Sequence, residues 1–251
     1  VIDAEGNSPS DYDDLAQAFA AHRSADGAVV EALRGRIAHV SGARVLEVGC
    51  GIGNYVIGLQ ERTGAWCCGV DPSRAMLALA RARAARAAWI RGRAEALPFD
   101  ADTFDLVFFV DVMHHVGDPA RALAEAFRVT RPGGSVCVAT EDEQGIRARL
   151  HSRYFPEVVA VELARYPPIG ELRAAFEACG AVRVEQQHTK TRQRVTDIAP
   201  YRDRAFSSLH RIPEEAYRRG LERMRLDLER RVALEAVWTH LLLWGAKPAP
   251  A

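Results

Sequence analysis

The sequence predicts an α/β fold in which short strands alternate with helices around one central sheet. Three observations carry this. Apolar runs of four to seven residues recur between stretches with helical spacing, as βαβ units require. The first of these runs leads straight into a glycine-rich turn, Gly49-Cys50-Gly51-Ile52-Gly53. The run Phe104-Asp105-Leu106-Val107-Phe108-Phe109-Val110 is nearly continuous in apolar residues, the mark of a strand covered on both faces.

The elements follow in order. Tyr12, Leu15, Ala16, Phe19 and Ala20 share one helical face, and Val29, Val30, Leu33, Ile37 and Val40 share another after Gly27. Arg44–Val48 reads as the first strand, with a helix after the glycine turn over about Asn54 to Arg62. Trp66–Val70 is the second strand, ending at Asp71, and Ser73 or Asp71 caps the helix that follows. Ala88–Arg91 is the third strand and Phe104–Val110 the fourth. Asp118-Pro119 opens a helix, Arg131-Pro132-Gly133-Gly134 is a turn, and Ser135–Ala139 is the fifth strand. Beyond residue 140 the rhythm loosens. A helix over Glu171–Cys179 stops at Gly180. Val182–Glu185 reads as a sixth strand, residues 190–231 as polar, Arg-rich helices, and Val237–Trp244 as a last strand. No repeat or low-complexity linker interrupts the chain. One domain over 1–251 is expected: an N-terminal helical lid (1–40), a cofactor-binding core (41–140), and substrate-side helices with the last two strands (141–251).

Composition narrows the class. The 251 residues suit a single elaborated domain with a sizeable core. The 33 Lys and Arg residues cancel the 33 Asp and Glu residues, so bulk charge gives no pull toward nucleic acid or an anionic membrane. Cys50, Cys67, Cys68, Cys137 and Cys179 are odd in number, contain no C-x-x-C, and sit mostly in apolar runs, which reads as buried reduced thiols. No metal site is expected. No run reaches the roughly 18 apolar residues of a membrane helix, and the first residues lack the pattern of a signal peptide. A cytoplasmic protein with no membrane partner is the expectation.

The chemistry concentrates at strand ends. A glycine-rich strand-to-helix turn lets a ligand approach the backbone, and the helix N-terminus behind it favours negative charge. Nicotinamide and flavin enzymes use such a turn too, with G-x-G-x-x-G. Here the pattern is G-x-G-x-G, with Asn54 in the sixth position and Glu47 two residues before the first glycine. A carboxylate there repels a pyrophosphate and suits a ligand carrying an amino group and a sulfonium. Asp71, at the end of the second strand, can accept two hydrogen bonds from a ribose diol. Glu95, after the third strand, can accept from an adenine amino group. Asp111-Val112-Met113-His114-His115 follows the fourth. Ligands of open α/β sheets bind outside these carboxyl ends.

Over about residues 40–140 the sequence resembles the class I S-adenosylmethionine-dependent methyltransferases, in particular the small-molecule branch similar to the ubiquinone and menaquinone biosynthesis methyltransferases. The likeness rests on Val45–Gly53, Gly69–Ser73, Ala94–Phe99, Phe104–Val107 and Arg128–Gly134, in register. It implies a Rossmann-like seven-stranded sheet, order 3-2-1-4-5-7-6, with the last strand antiparallel. It implies S-adenosylmethionine as cofactor and S-adenosylhomocysteine as product. Glu47 with the Gly49 and Gly51 backbone would hold the methionine part, and Asp71 the ribose. Ala94 and Glu95 would contact adenine, and Asp111 and Val112 would line the methyl-donor face. Cys50, Gly53 and Pro72 complete the expected cofactor contacts. A helical insertion of about forty residues stands before the last strand, where the family has a short link.

The partner implied is a small organic acceptor, methylated on oxygen, nitrogen or carbon. His115, and after it His114, stand where a base could reach that acceptor, if it must lose a proton. No Asp-Pro-Pro-Tyr or Asn-Pro-Pro-Tyr follows the fourth strand, which disfavours DNA adenine or protein glutamine. Tyr12, Phe19, His22, Arg23, Tyr154, Phe155, Tyr166, Tyr201, Phe206, His210 and Tyr217 are placed to form a lid, or instead a satellite core. The insertion's arginines leave open an RNA methyltransferase, although Glu214, Glu215, Glu222, Asp227 and Glu229 among them suggest a solvated helix face. A NAD-dependent oxidoreductase and a non-catalytic cofactor-binding protein also stay open. Oligomeric state is not legible.

Overall fold

The computed structural model describes residues 20–84 and 86–249. Its centre is a seven-stranded sheet of order β3-β2-β1-β4-β5-β7-β6, as the resemblance implies. In chain order the strands are β1 (Arg44–Val48), β2 (Trp66–Asp71), β3 (Ala88–Arg91), β4 (Phe104–Val110), β5 (Thr130–Thr140), β6 (Val184–Val195) and β7 (Leu234–Ala246). The first five pair in parallel, and β7 runs antiparallel to both β5 and β6. Parallel pairing needs crossover helices, and these lie on both faces.

Side chains alternate across a strand, so each strand feeds two cores. Val45, Cys67, Leu106, Phe108 and Cys137 pack on one side with α1 (Gly27–Ile37) and α2 (Asn54–Thr63). Leu46, Val48, Cys68, Val107, Phe109 and Val138 pack on the other with α4 (Pro119–Val129) and α8 (Ile169–Ala178). Between these come α3 (Arg74–Arg83) and the short helices α5 (Glu143–Ala148), α6 (Leu150–Tyr154) and α7 (Glu157–Arg165). Cys50, Cys67, Cys68 and Cys137 are buried and unbridged, and Cys179 is half-buried. The caps follow local chemistry. Asp118 accepts from the Arg121 N–H, and the Ser73 hydroxyl, not Asp71, accepts from the Met76 N–H to start α3.

The second half departs from the pattern expected of the sequence. The sixth strand runs to Val195 and the last from Leu234 to Ala246, so the helices begin only at α9 (Ala199–Arg202), followed by a 3-10 turn at Ser207–His210 and α10 (Glu214–Glu229). The signal is weak because β6 is an edge strand, with polar residues His188 to Arg194 on both faces and no apolar alternation to read. The Arg131–Gly134 turn is absorbed as an irregularity inside β5, where pairing with β4 jumps from Phe104↔Thr130 to Leu106↔Ser135. Tyr12, Phe19 and most of the first expected helix lie outside the described residues.

The lengthened strands form an arm. Pairing of β7 with β5 stops at Thr140↔Leu241, but β6 and β7 stay paired to Val195↔Leu234. Leu234–His240 therefore project roughly 20 Å past the carboxyl end of β5. A third apolar cluster fills the space beneath, joining Tyr154, Phe155 and Val158 to Tyr201, Phe206, Leu209, Tyr217 and Met224. The arm and its helices roof the strand ends.

Candidate active site

A cavity of about 610 Å³ lies under that roof. Its floor is the carboxyl edge of β1, β2, β3 and β4, where the sequence places the chemistry.

The glycine turn forms one wall. The Gly49 and Cys50 N–H groups both donate to the Val70 carbonyl, at 2.8 and 3.0 Å, which ties the turn to β2. Gly49 has φ +75°, and a Cβ there would sit 2.2 Å from Val112 Cγ2. Gly53 has φ +78° and precedes α2; its Cβ would fall 2.1 Å from the Trp89 ring. No side chain fits at either place. Glu47 is buried, and its Oε2 accepts from the Val56 N–H in the first turn of α2 (3.1 Å). Burial raises its carboxyl pKa; Val56 counters this and Asp71 adds to it. Asp71 is aimed by its own surroundings. Gly51 N–H donates to Oδ2 (2.8 Å) and Ser73 N–H to Oδ1 (2.9 Å). Farther along, Glu95 Oε1 accepts from the Gly117 N–H (3.2 Å), and its carbonyl accepts from Arg121 Nε (2.9 Å).

Glu47, Gly49, Cys50, Gly51, Asp71, Pro72, Ala94, Glu95, Asp111, Val112, His114 and His115 all line the cavity. Gly53 does not. It supports the turn from behind, against Trp89.

The other half of the cavity joins Asp111, His114 and His115 to side chains that spacing does not point to. Asp111 has φ +51°, and its Oδ2 lies 3.2 Å from His240 Nε2 on the β7 arm. His240 Nδ1 lies 3.5 Å from Asp26 Oδ2, just before α1, and Thr191 of β6 donates to Asp26 Oδ1 (2.8 Å). Burial would lower the His240 pKa, but the Asp111 and Asp26 carboxylates overcome it and hold the imidazole up at about 10. Burial would likewise raise Asp111; His240, Arg23 and Arg149 draw it down to about 2. The group is therefore one imidazolium between two carboxylates.

Beside it runs a buried network. Arg149 donates to both oxygens of Glu141 (2.7 and 2.5 Å), to Glu162 (3.1 Å) and to the Tyr166 hydroxyl (2.9 Å). The Tyr166 ring stacks on His114, with centroids 4.1 Å apart, and His115 packs 3.9 Å behind. Burial, then His115 and the arginines, push the His114 pKa well below its ordinary value. Ligand atoms of Asp111, Glu141 and His240 come within 4.8 Å of one another. Both Glu141 oxygens are held by Arg149, and His240 lies between the Asp111 and Asp26 carboxylates. Only Glu141, directly after β5, obeys the strand-end rule that finds Asp71 and Asp111. Asp26, Arg149 and His240 carry no local signal.

Tyr201 and Phe206 belong to the third apolar cluster and also line the cavity. Arg23 lies 5.5 Å over the Phe206 ring and 6.0 Å over Trp238, and His22 meets Asp203 at 3.0 Å, so the N-terminal segment touches the arm and the insertion. In the insertion, Arg202, Arg204, Arg218, Arg219 and Arg225 each pair with a nearby acid.

Residues 46–138 match the family model described as a methyltransferase domain. A protein named methyltransferase GfsG from Streptomyces halstedii is 34% identical over 52% of this chain and 47% of its own length. A demethylmenaquinone methyltransferase of Shouchella clausii is 34% identical over 47% and 54%. The chain thus spans about half the length of the curated relatives it matches. A candidate methyltransferase from an antibiotic biosynthesis pathway of Anabaena variabilis superposes with a TM-score of 0.74 at 20% identity, over 89% of this chain and 98% of that one, a likeness of fold. Residues 46–138 are thus similar to a methyltransferase domain, and the sheet order that surrounds them is that of the Rossmann-like methyltransferase fold.

Proposed function

We propose that the protein transfers a methyl group from S-adenosylmethionine to a small organic acceptor and releases S-adenosylhomocysteine. One observation carries this reading. One cavity is lined both by the glycine turn, Asp71 and Glu95 and by His114, Tyr166, Phe206 and Trp238. Its volume lies in the range of cofactor and substrate clefts.

The residues present fit the cofactor. The concavity that a Cβ at Gly49 would fill admits a ligand against the turn. Glu47 is suited to an amino group, the oriented Asp71 carboxylate to a ribose diol, and the Ala94–Glu95 segment to adenine. Pro72 and Cys50 shape the wall between them, and Val112 stands against the methyl-donor side. When bound, the cofactor supplies an already activated methyl group, so most of the protein's work is positioning and exclusion of water. An acceptor that must shed a proton would meet His115 as base, with the buried His114 as a neutral wall behind it. Internal pairing of the insertion's arginines supports a scaffold role for them over an RNA-binding one.

Two measurements test the reading. Calorimetry should detect S-adenosylhomocysteine binding, and Asp71→Ala should weaken it at least about tenfold, the loss of two charge-assisted hydrogen bonds. A screen of small acceptors should then release S-adenosylhomocysteine with at least one of them. Absent binding in the wild type, or unchanged affinity in Asp71→Ala, sinks the proposed site.

A further inference from the structure

Asp111 directly follows β4 with φ +51°, a left-handed conformation that is uncommon outside glycine, asparagine and aspartate. A residue keeps such a conformation only where its surroundings fix it. Here the Asp111 N–H donates to the Ala139 carbonyl of β5 (3.0 Å), and Asp111 Oδ2 meets His240 Nε2 (3.2 Å). Arg23 and Arg149 also bear on the charge of this carboxylate, and His240 is the group that hydrogen-bonds it. The turn at Asp111 sets the residue after it. Val112 stands so close to Gly49 that a Cβ there would fall 2.2 Å from Val112 Cγ2, and the Val112 carbonyl accepts from the His115 N–H (2.8 Å). A chain of contacts thus runs from His240 through Asp111 and Val112 to the glycine turn.

The place of His240 in the sheet gives that chain its meaning. Pairing of β7 with β5 ends at Thr140↔Leu241, so His240 is the first arm residue beyond it, opposite Thr189 of β6. In the sheet β5 lies between β7 and β4, and the imidazole reaches past its end to Asp111. The ring is buried, with Nδ1 turned to Asp26 just before α1 (3.5 Å).

We propose that His240 is a positioning residue for methyl transfer: it holds Asp111 in its left-handed turn and so sets Val112 against Gly49 on the methyl-donor side of the cofactor site. The inference rests on the reading of that site given above. His240 forms no bond to the reacting atoms and acts through Asp111. Because it sits on the arm, the donor side is complete only while the arm lies over the cavity. Coupling between two sites is reciprocal, so a bound cofactor holds the arm down in return. The arm that roofs the acceptor side and the turn that shapes the cofactor side are fixed together by one imidazole.

The test compares His240→Asn with His240→Gln in the full chain. Both replace the imidazole by a neutral amide, so both should lose stability. They differ in reach. The glutamine amide nitrogen extends to about where Nε2 lies and can still donate to Asp111, whereas the asparagine amide lies nearer the place of Nδ1 and stops short. Calorimetry with S-adenosylhomocysteine should show affinity weakened about tenfold in His240→Asn, the loss of a hydrogen bond to a charged group, and held within about threefold in His240→Gln. Without ligand, the Val112 methyl resonances should move in His240→Asn and stay near their wild-type positions in His240→Gln. Affinity that falls equally in both variants, or unmoved Val112 resonances in His240→Asn, overturns the positioning role and leaves the proposed site standing. Hydrogen exchange of the wild type reads the coupling from the other side and decides the matter even if His240→Asn does not fold. S-adenosylhomocysteine should slow exchange at Leu234–His240, and unchanged exchange there overturns the inference. A wild type that fails to bind S-adenosylhomocysteine overturns the proposed function itself, and this inference with it.

Discussion

The two sides of the cavity are built from different materials. Beneath the glycine turn the working atoms are backbone groups and carboxylates held by backbone N–H groups two to twenty residues away: Gly51 on Asp71, Ser73 on Asp71, Val56 on Glu47. Beneath the arm they are side chains on side chains, brought together from across the chain. His240 reaches Asp111 and Asp26, and Arg149 reaches Glu141, Glu162 and Tyr166. A site made of local backbone geometry can stay the same while the rest of the chain varies. A site made of convergent charges can be rebuilt one residue at a time. That division lets one scaffold keep a cofactor and change its acceptor.

The comparison breaks most visibly at Arg149. Arg149→Met would strip Glu141 of the guanidinium that holds both its oxygens and leave Glu162 only the longer contact to Arg165, at a cost of about 3 to 5 kcal/mol. Chemical denaturation should record that loss. If the two halves are as separable as their bonding suggests, hydrogen exchange should place the opening in α5, α7 and the arm and leave β1 and β2 protected. Uniform loss of protection would mean that the halves fold as one unit.

The matching blow to the other half is Gly49→Ala. A left-handed backbone costs a residue with a side chain about 1 to 2 kcal/mol, and crowding Val112 adds a similar amount, so about 3 kcal/mol is expected. S-adenosylhomocysteine binding should be lost in calorimetry. A well-folded Gly49→Ala protein of normal affinity would show that the turn does not cradle the cofactor.

These contrasts also explain what was legible in the sequence. Glu47, Asp71, Glu95 and Asp111 each sit directly at a strand end or beside a glycine turn, so local spacing finds them. The sheet order followed from the resemblance carried by those same segments. His240 carries no such mark. It lies in a strand that paired beyond the sheet, and its partners are 129 and 214 residues away. The extent of β6 was hidden for a related reason. An edge strand that faces solvent has no need of alternating apolar residues, and its pairing is decided by β7.

A pH series on His240→Gln sharpens the comparison further. The folded pKa of His240 is raised, so its contribution is fully present below the unfolded value near 6.5 and is lost as pH rises through about 10. Asp111 is drawn down to about 2, so its contribution is present above its ordinary 3.8 and is lost as pH falls toward 2. The stability gap between wild type and variant should therefore be widest between about pH 4 and 6.5, at about 2 kcal/mol, and should narrow toward pH 10. Urea midpoints across that range would measure it. A gap independent of pH would mean that His240 is held neutral.

The smallest effects separate the halves most finely. Ser73→Ala removes the cap of α3, and Thr191→Val removes the hydroxyl that donates to Asp26; each should cost about 1 kcal/mol. Equal in stability, they should differ in consequence. The Ser73 backbone N–H still holds Asp71 after the hydroxyl is gone, so S-adenosylhomocysteine affinity should not change. Asp26 without Thr191 loses a donor that favours its ionised form and leans more heavily on His240, so the His240 titration should move when followed by NMR. A local bond is lost alone, whereas a bond in a shared charge network is redistributed to its neighbours. If Thr191→Val left the imidazole titration untouched, Asp26 and His240 would be neighbours without being coupled, and the side under the arm would be as modular as the glycine turn.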